Sequence, residues 1–414
     1  MKQFLHYSVL IITLFSLQNI FAQDKPDGFA AVSGLGLETT TGGEGGEVVI
    51  ADTYAKFNTY ARSSRPYIIL VKGVLESTSW QEIDVNSNKT IIGYGTNATL
   101  KNMELHIINK QNIIIRNLII RDSYVEGDWD GKTNDNDAIQ ADNSHHMWID
   151  HCFFTNCGDG LIDLRHSTDY ATISYNKLTH HNKAFGIGWI TDGVDNPDFH
   201  LTIHHNWIDS TNQRNPSFDM GIGHLYNNYL SRVFSYGNQA RGTGRIIVQN
   251  SVFENVHDPL TISSPGIMYE DGNLLINCSG DQNGNASVYP YDLDSYYSYT
   301  LDPTDQVKEI VTSQAGPQQY ISDQYHATAI DEVSVLKDQV KYYVDQHSKT
   351  LYLESQNSVD AQVRIYSSSG RMIYSGNLNI SHQESLPLKG YNPGIYLIRI
   401  ESSGNFKTGK IILN

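Results

Sequence analysis

Between residues 112 and 276 the chain repeats one arrangement: a short apolar run, two or three polar residues that include Asn or His, then apolar residues again. The copies are Ile113-Ile114-Ile115-Arg116-Asn117, Met147-Trp148-Ile149-Asp150-His151, Ala171-Thr172-Ile173-Ser174-Tyr175-Asn176, Leu201-Thr202-Ile203-His204-His205-Asn206, His224-Leu225-Tyr226-Asn227-Asn228 and Ile246-Ile247-Val248-Gln249-Asn250. Aligned on Ile115, Ile149, Ile173, Ile203, Leu225 and Val248, they follow one another at steps of 34, 24, 30, 22 and 23 residues. The unit is therefore 22–24 residues, with insertions of about ten and six in two copies. β-Branched residues fill the apolar positions and no helical period is present, so each copy predicts a strand. A strand repeat of this length predicts a right-handed parallel β-helix; a leucine-rich repeat shares the period but needs a leucine spacing that is absent. One coil cannot bury its inner face alone, whereas stacked coils bury a continuous core and pair their backbones except at the two ends. Asn residues stacked at the turns can hydrogen-bond along the axis, which gives most of them a structural role.

The pattern changes at both ends. From about Tyr342 it becomes period-two, in Thr350-Leu351-Tyr352-Leu353, Ala361 to Tyr366 and Gly394 to Ile400, with turns at Ser369-Gly370 and Ser403-Gly404. Alternation with turns at that spacing predicts a small β-sandwich over 336–414 that carries no chemistry. Residues 1–22 read as a signal peptide: Lys2, an apolar run from Val9 to Phe15, and Ala22 at the end. That run is shorter than the roughly 20 residues a membrane span requires. The expected product is an exported, soluble, monomeric protein whose β-helix domain spans 23–335.

Composition narrows the function. Charged residues are 18% of the 414, and 29 basic against 45 acidic side chains leave a net charge of −16, which excludes wholesale nucleic-acid binding. Three cysteines cannot build a disulfide scaffold. An anionic ligand would need a local source of positive charge.

Stacking supplies one. Residues at equal offsets from successive anchors line one face, roughly 4.8 Å apart per coil. Ten or eleven residues beyond Ile149, Ile173 and Ile203 come Asp159, Lys183 and Arg214; twelve before Ile149 comes Asp137, and Asp163 follows Asp159 by four. One face thus carries three aspartates, a lysine and an arginine over roughly 15 Å. Clustered carboxylates are relieved by a hard cation, and Ca²⁺ accepts carboxylates and water in loose geometry; zinc would want His or Cys, which are out of phase. A polyanionic sugar suits such a site, bridging through Ca²⁺ and pairing directly with Lys183 and Arg214.

These residues resemble polysaccharide lyase family 1, the pectate lyases. The likeness lies in Trp148-Ile149-Asp150-His151-Cys152, Asp159-Gly160-Leu161-Ile162-Asp163, Thr172 to Asn176, His180-His181-Asn182-Lys183, His204 to Trp207, Gln213-Arg214-Asn215-Pro216 and His224 to Tyr229. Gly28-Phe29-Ala30 and the Gly-rich Thr40 to Gly46 are similar to the family's opening, so the likeness runs from about 24 to 316. It implies Ca²⁺-dependent β-elimination on homogalacturonan, calcium on Asp137, Asp159 and Asp163 with Asp135 as a further ligand, Arg214 as base and Lys183 as a substrate-binding lysine. The intact acidic cluster favours pectate over methyl-esterified pectin. Residues 363–366, Ser369-Gly370-Arg371, Gly394-Ile395-Tyr396-Leu397 and Lys410-Ile411-Ile412 resemble the sorting domain of the bacterial type IX secretion system, although its usual Pro-Asn-Pro opening is missing. That likeness implies a secreted or cell-surface protein handled by the type IX machinery.

One position departs from the family. Its Arg-x-Pro-x-x-Arg pattern reads Arg214-Asn215-Pro216-Ser217-Phe218-Asp219 here, so an acid stands where a substrate-carboxylate contact is expected, with Arg232 and Arg241 of neighbouring coils as candidates to replace it. Arg214 as base is itself demanding, since a free guanidinium has a pKa above 12; nearby positive charge disfavours its charged form. The rival functions are a polygalacturonase-type hydrolase, needing paired acids and a water, and a non-catalytic β-helix that binds acidic glycan. His145-His146, His180-His181 and His204-His205 suggest metal, but adjacent strand residues should point to opposite faces. Cys152 and Cys157 could pair, though Cys152 suits a buried thiol. The Tyr289–Tyr299 run reads as sugar-stacking residues at the groove rim or as a loop over the solenoid's flank.

Overall fold

The computed structural model describes residues 25–188, 199–323, 340–367, 372–402 and 405–413. The signal peptide, the 335/336 boundary and the turns at Ser369-Gly370 and Ser403-Gly404 lie outside them. Two compact units divide the chain, residues 1–329 and 330–414.

The first unit is a parallel β-solenoid. Ten strands, from Glu47–Ala51 to Ile267–Asp271, stack in parallel into one sheet, and fourteen more build a second. The register is the one the repeat predicts: Ile115 lies opposite Ile149, Ile149 opposite Ile173, Ile173 opposite Ile203, Ile203 opposite Leu225 and Leu225 opposite Val248. Two earlier coils extend the row through Ile91 and Ile69. All eight side chains are fully buried, and each contributes roughly 1.5–3 kcal/mol relative to an exposed one.

The turns use Asn in two ways. Asn109, Asn117, Asn143, Asn227 and Asn250 have φ of 43–61°, a left-handed conformation that Asn tolerates better than most side chains. Along the interior, Asn176 Oδ1 accepts from Cys152 N at 2.8 Å, Asn206 Oδ1 from Asn176 N at 3.0 Å and Asn228 Oδ1 from Asn206 N at 3.0 Å. Buried turn amides are thereby satisfied along the axis. Helix Tyr54–Arg62 begins on Thr53, whose side chain accepts from Lys56 N, and buries Phe57 and Ala61 against the first coils. Helix Thr304–Gln314 packs Val307 and Val311 on Tyr229 and Val252.

The tyrosine run covers the solenoid's flank: Tyr289, Tyr291, Tyr297 and Tyr299 pack on a cluster of Phe29, Ile222, Ile247 and Leu293. Cys152 and Cys157 are free buried thiols, and burial pushes both up to about 12. One expectation for the paired histidines fails. His145 and His146 rings meet through their Nδ1 atoms at 2.9 Å, and those of His204 and His205 at 2.7 Å. His146 and His205 have φ of 56° and 55°, so the chain turns there and strand alternation no longer separates the neighbours.

The second unit is one antiparallel sheet in which strand Thr350–Ser367 pairs along its length with Met372–Pro387. A register shift between Ser355 and Val359 divides the long strand. Strand Val340–Asp345 joins its first half and strand Gly394–Ser402 its second. Leu351, Leu353, Val363, Ile365, Ile398, Ile400 and Ile411 from both halves form a common core. The alternating residues of the sequence are the buried ones.

Candidate active site

Successive coils bring the candidate residues to one face of the fourteen-stranded sheet. Asp137 lies just before strand Ile139–Asp142, Asp159 and Asp163 flank the start of Gly160–Arg165, Lys183 lies in Lys177–Ile187, and Arg214 follows Trp207–Gln213. Gly160 is opposite Lys183, which is opposite Gln213. Asp159 and Arg214 therefore each sit one residue off the row that Lys183 defines, and φ of 57° at Arg214 ends its strand.

Contacts join the groups. Lys183 Nζ forms an ion pair with Asp159 Oδ1 and donates to the Asp130 carbonyl at 2.6 Å. Asp163 Oδ1 accepts from Gly186 N at 3.0 Å, and its Oδ2 lies 3.8 Å from Arg214 Nη1. Asp137 Oδ1 accepts from Gly160 N at 2.5 Å, while its Oδ2 is buried with no hydrogen-bond partner. Carboxylate oxygens of Asp135, Asp137 and Asp159 all lie within 4.8 Å of one another. Asp135 is exposed and reaches Arg165 Nη1 at 3.2 Å.

Packing forces this convergence. A Cβ at Gly160 would lie 2.5 Å from Asp163 Oδ1 and 3.0 Å from Asp137 Oδ1, and one at Gly186 would lie 2.7 Å from Asp163 Oδ1. Only glycine lets the carboxylates approach the backbone so closely. Burial is the main reason that Asp137, Asp159 and Asp163 all hold their protons more tightly than usual. Neighbouring Asp163 and Glu104 raise Asp137 further, Lys183 pulls Asp159 back, and Arg214 and Arg165 pull Asp163 back. Asp137 Oδ2 is a buried carboxylate oxygen with no hydrogen-bond partner, set among further carboxylates. The all-oxygen donor set fits a hard divalent cation.

Several residues here escape the phase argument. Glu104 is buried, accepts from Asp137 N at 3.0 Å through Oε2 and is pushed up to about 9, chiefly by burial. It lies eleven residues before Ile115, one coil ahead of Asp137. Arg165 follows Asp163 by two on its strand, a spacing that places both on one face, and that signal was readable. Asp130 and the half-exposed Trp129 lie in the ten-residue insertion, whose path no repeat dictates; the Trp129 and His181 rings meet edge to face, with centroids 6.2 Å apart.

The solenoid sets buried acids beside a lysine and an arginine on one face, a charge pattern suited to an acidic polysaccharide. Residues 5–320 match the family model described as pectate lyase. The pectate trisaccharide-lyase of Bacillus licheniformis is 35% identical over 316 residues, covering 72% of this chain and 88% of that one. A Thermotoga enzyme of the same name is 32% identical, covering 71% and 89%. Among solved structures, a pectate lyase from Bacillus sp. N165 in complex with trigalacturonate superposes with a TM-score of 0.60 at 28% identity, over 70% of this chain and 98% of that one. The chain belongs to the pectate lyase family and is a polysaccharide lyase. Residues 347–414 match the secretion system C-terminal sorting domain, which makes this a secreted or cell-surface protein.

Proposed function

We propose that the chain cleaves (1→4)-α-D-galacturonan by Ca²⁺-dependent β-elimination and releases 4,5-unsaturated oligogalacturonides. The observation that carries this reading is the convergence of Asp137, Asp159 and Asp163 with Lys183 and Arg214 from successive coils in one groove. The trigalacturonate held by the Bacillus sp. N165 enzyme supports a polyuronate as ligand.

The C5 proton of a galacturonate lies α to its carboxylate, and its removal builds negative charge on that side. Arg214, acting in its neutral form, takes the proton and becomes a guanidinium; the C5–H electron pair becomes the C4–C5 double bond, and the C4–O4 bond breaks with its pair on the leaving oxygen, which is protonated from solvent. Lys183 faces the developing charge. In the free protein it is held by Asp159 and the Asp130 carbonyl, so it stands in place before substrate arrives. Asp137, Asp159 and Asp163, with Asp135 at the rim, would hold calcium, which when bound supplies positive charge against the substrate carboxylate. Through its sorting domain the chain is handed to the type IX machinery.

The test is Arg214→Lys and Arg214→Ala on polygalacturonate, followed by ultraviolet absorbance of the unsaturated product. Loss of turnover in Arg214→Ala, with binding kept, is expected; near-normal turnover would reject Arg214 as base. Saturated products from the wild type would instead point to a hydrolase.

A further inference from the structure

Asp219, the residue that departs from the family pattern, meets a partner one coil further on. Ser217 lies opposite Gln239 and Phe218 opposite Ala240, so Asp219 and Arg241 occupy equivalent places in adjacent coils. The backbone fixes both: Asp219 N donates to the Ile187 carbonyl at 2.9 Å, and Arg241 N to the Phe218 carbonyl at 2.9 Å. Arg241 grips the buried Asp219 carboxylate with Nε on one oxygen and Nη2 on the other, the second bond at 2.9 Å. This side-on fork leaves Nη1 with no hydrogen-bond partner among the described residues, on a side chain 36% exposed. Asp163, Gly186, Arg214, Asp219 and Arg241 line one small cavity. The two guanidinium groups therefore border the same space. Arg232, the other candidate, does not line that cavity; its Nη2 pairs with Asp209 Oδ2 at 2.5 Å and its Nε donates to Ser210 Oγ at 3.0 Å.

We infer that Arg241 is a substrate-carboxylate contact, presented by Asp219 as a positioning residue, in the coil beyond Arg214. The inference rests on the groove being a polyuronate site. A guanidinium has two bidentate edges, and only one is taken by Asp219; the Nη1/Nη2 edge matches a second carboxylate. A flexible arginine anchored on one edge also loses less freedom when the other edge binds. A polyuronate offers a carboxylate on every sugar, so moving the arginine by one coil, roughly 4.8 Å, shifts which sugar is gripped without abolishing the grip. The replacement of a basic residue by Asp219 is then a relocation of the positive charge along the groove.

The experiment compares wild type, Arg241→Gln and Asp219→Ala on polygalacturonate in saturating calcium, with thermal melts to establish folding. A charged hydrogen-bonded pair is lost in Arg241→Gln, so KM should rise about ten- to hundred-fold while kcat stays within about threefold. Asp219→Ala should raise KM less, and adding it to Arg241→Gln should leave KM where Arg241→Gln alone put it, because both act through one group. A folded Arg241→Gln whose KM equals that of wild type overturns the inference and leaves the pair purely structural. If the wild type yields no unsaturated product, the functional reading fails instead, and calorimetric titration of trigalacturonate into wild type and Arg241→Gln still decides whether Arg241 binds it.

Discussion

Replacing Asp137 by Asn distinguishes a carboxylate that waits for a cation from one that holds the fold together, because the two roles give opposite signs in metal-free protein. Asn keeps an acceptor for Gly160 N and removes a buried carboxyl that, without a cation, must either carry charge against its acidic neighbours or hold a proton. Unit charges at the 4.8 Å limit that encloses the Asp135, Asp137 and Asp159 oxygens repel by about 3.5 kcal/mol at an effective dielectric of 20, and by about 0.9 kcal/mol in water. Asp135 is exposed beside Arg165, and Asp159 is paired with Lys183, so the larger figure is a ceiling. We expect Asp137→Asn to stabilise the chelated protein by about 1–2 kcal/mol.

In calcium the order reverses. A cation present at a hundred times its Kd stabilises the wild type by about 2.7 kcal/mol, and the variant loses most of that. At about 2–4 °C per kcal/mol for a large domain, calcium should raise the wild-type Tm by about 5–10 °C and that of the variant by a small fraction of it. Under chelation the variant should melt about 2–8 °C above the wild type. Scanning calorimetry of both proteins at one fixed pH, in chelator and in calcium, reads all four values. A chelated variant that melts below the chelated wild type, or an equal calcium shift in both, would refute the argument.

Three further outcomes follow from other parts of the molecule. Gly160→Ala forces a methyl against Asp163 and Asp137; the calcium concentration for half-maximal activity should rise about tenfold or more, and an unchanged value would show that the carboxylates need not converge. Ile173→Ala removes a fully buried side chain from the centre of the interior row and should cost about 2–5 kcal/mol, read as a lowered Tm. His224 is pushed down to about 3 and His205 to about 4, both chiefly by burial. Both stay neutral in the folded protein while unfolded histidine takes up a proton near pH 6.5, so their stability is complete above that pH and is lost as pH falls. Between pH 7 and 4.5 the loss is about 2–3 kcal/mol for each. In chelator, His224→Gln should show a smaller fall in Tm over that range than the wild type, and parallel curves would contradict the assignment.

How much of this was readable from the sequence depends on whether a feature recurs. The anchors stack residue for residue because each coil must bury one apolar side chain in the same place, and a one-residue slip would turn it outward. The same rule carries Asp137, Asp159, Lys183 and Arg214 to one face, since they lie at nearly constant distance from buried anchors. What recurs only once obeys no such rule. The Asp130 carbonyl beside Lys183 comes from an insertion, and the Nδ1 contacts within the histidine pairs come from left-handed turns at His146 and His205. Glu104 belongs to a coil that precedes the clear copies of the repeat. Asp219 lies between these cases. Its charge contradicts the family pattern when it is taken alone, and register alone resolves the contradiction, by setting Arg241 at the equivalent place in the next coil. In a solenoid, a substitution at a groove position is therefore judged together with the residues one coil before and one coil after it.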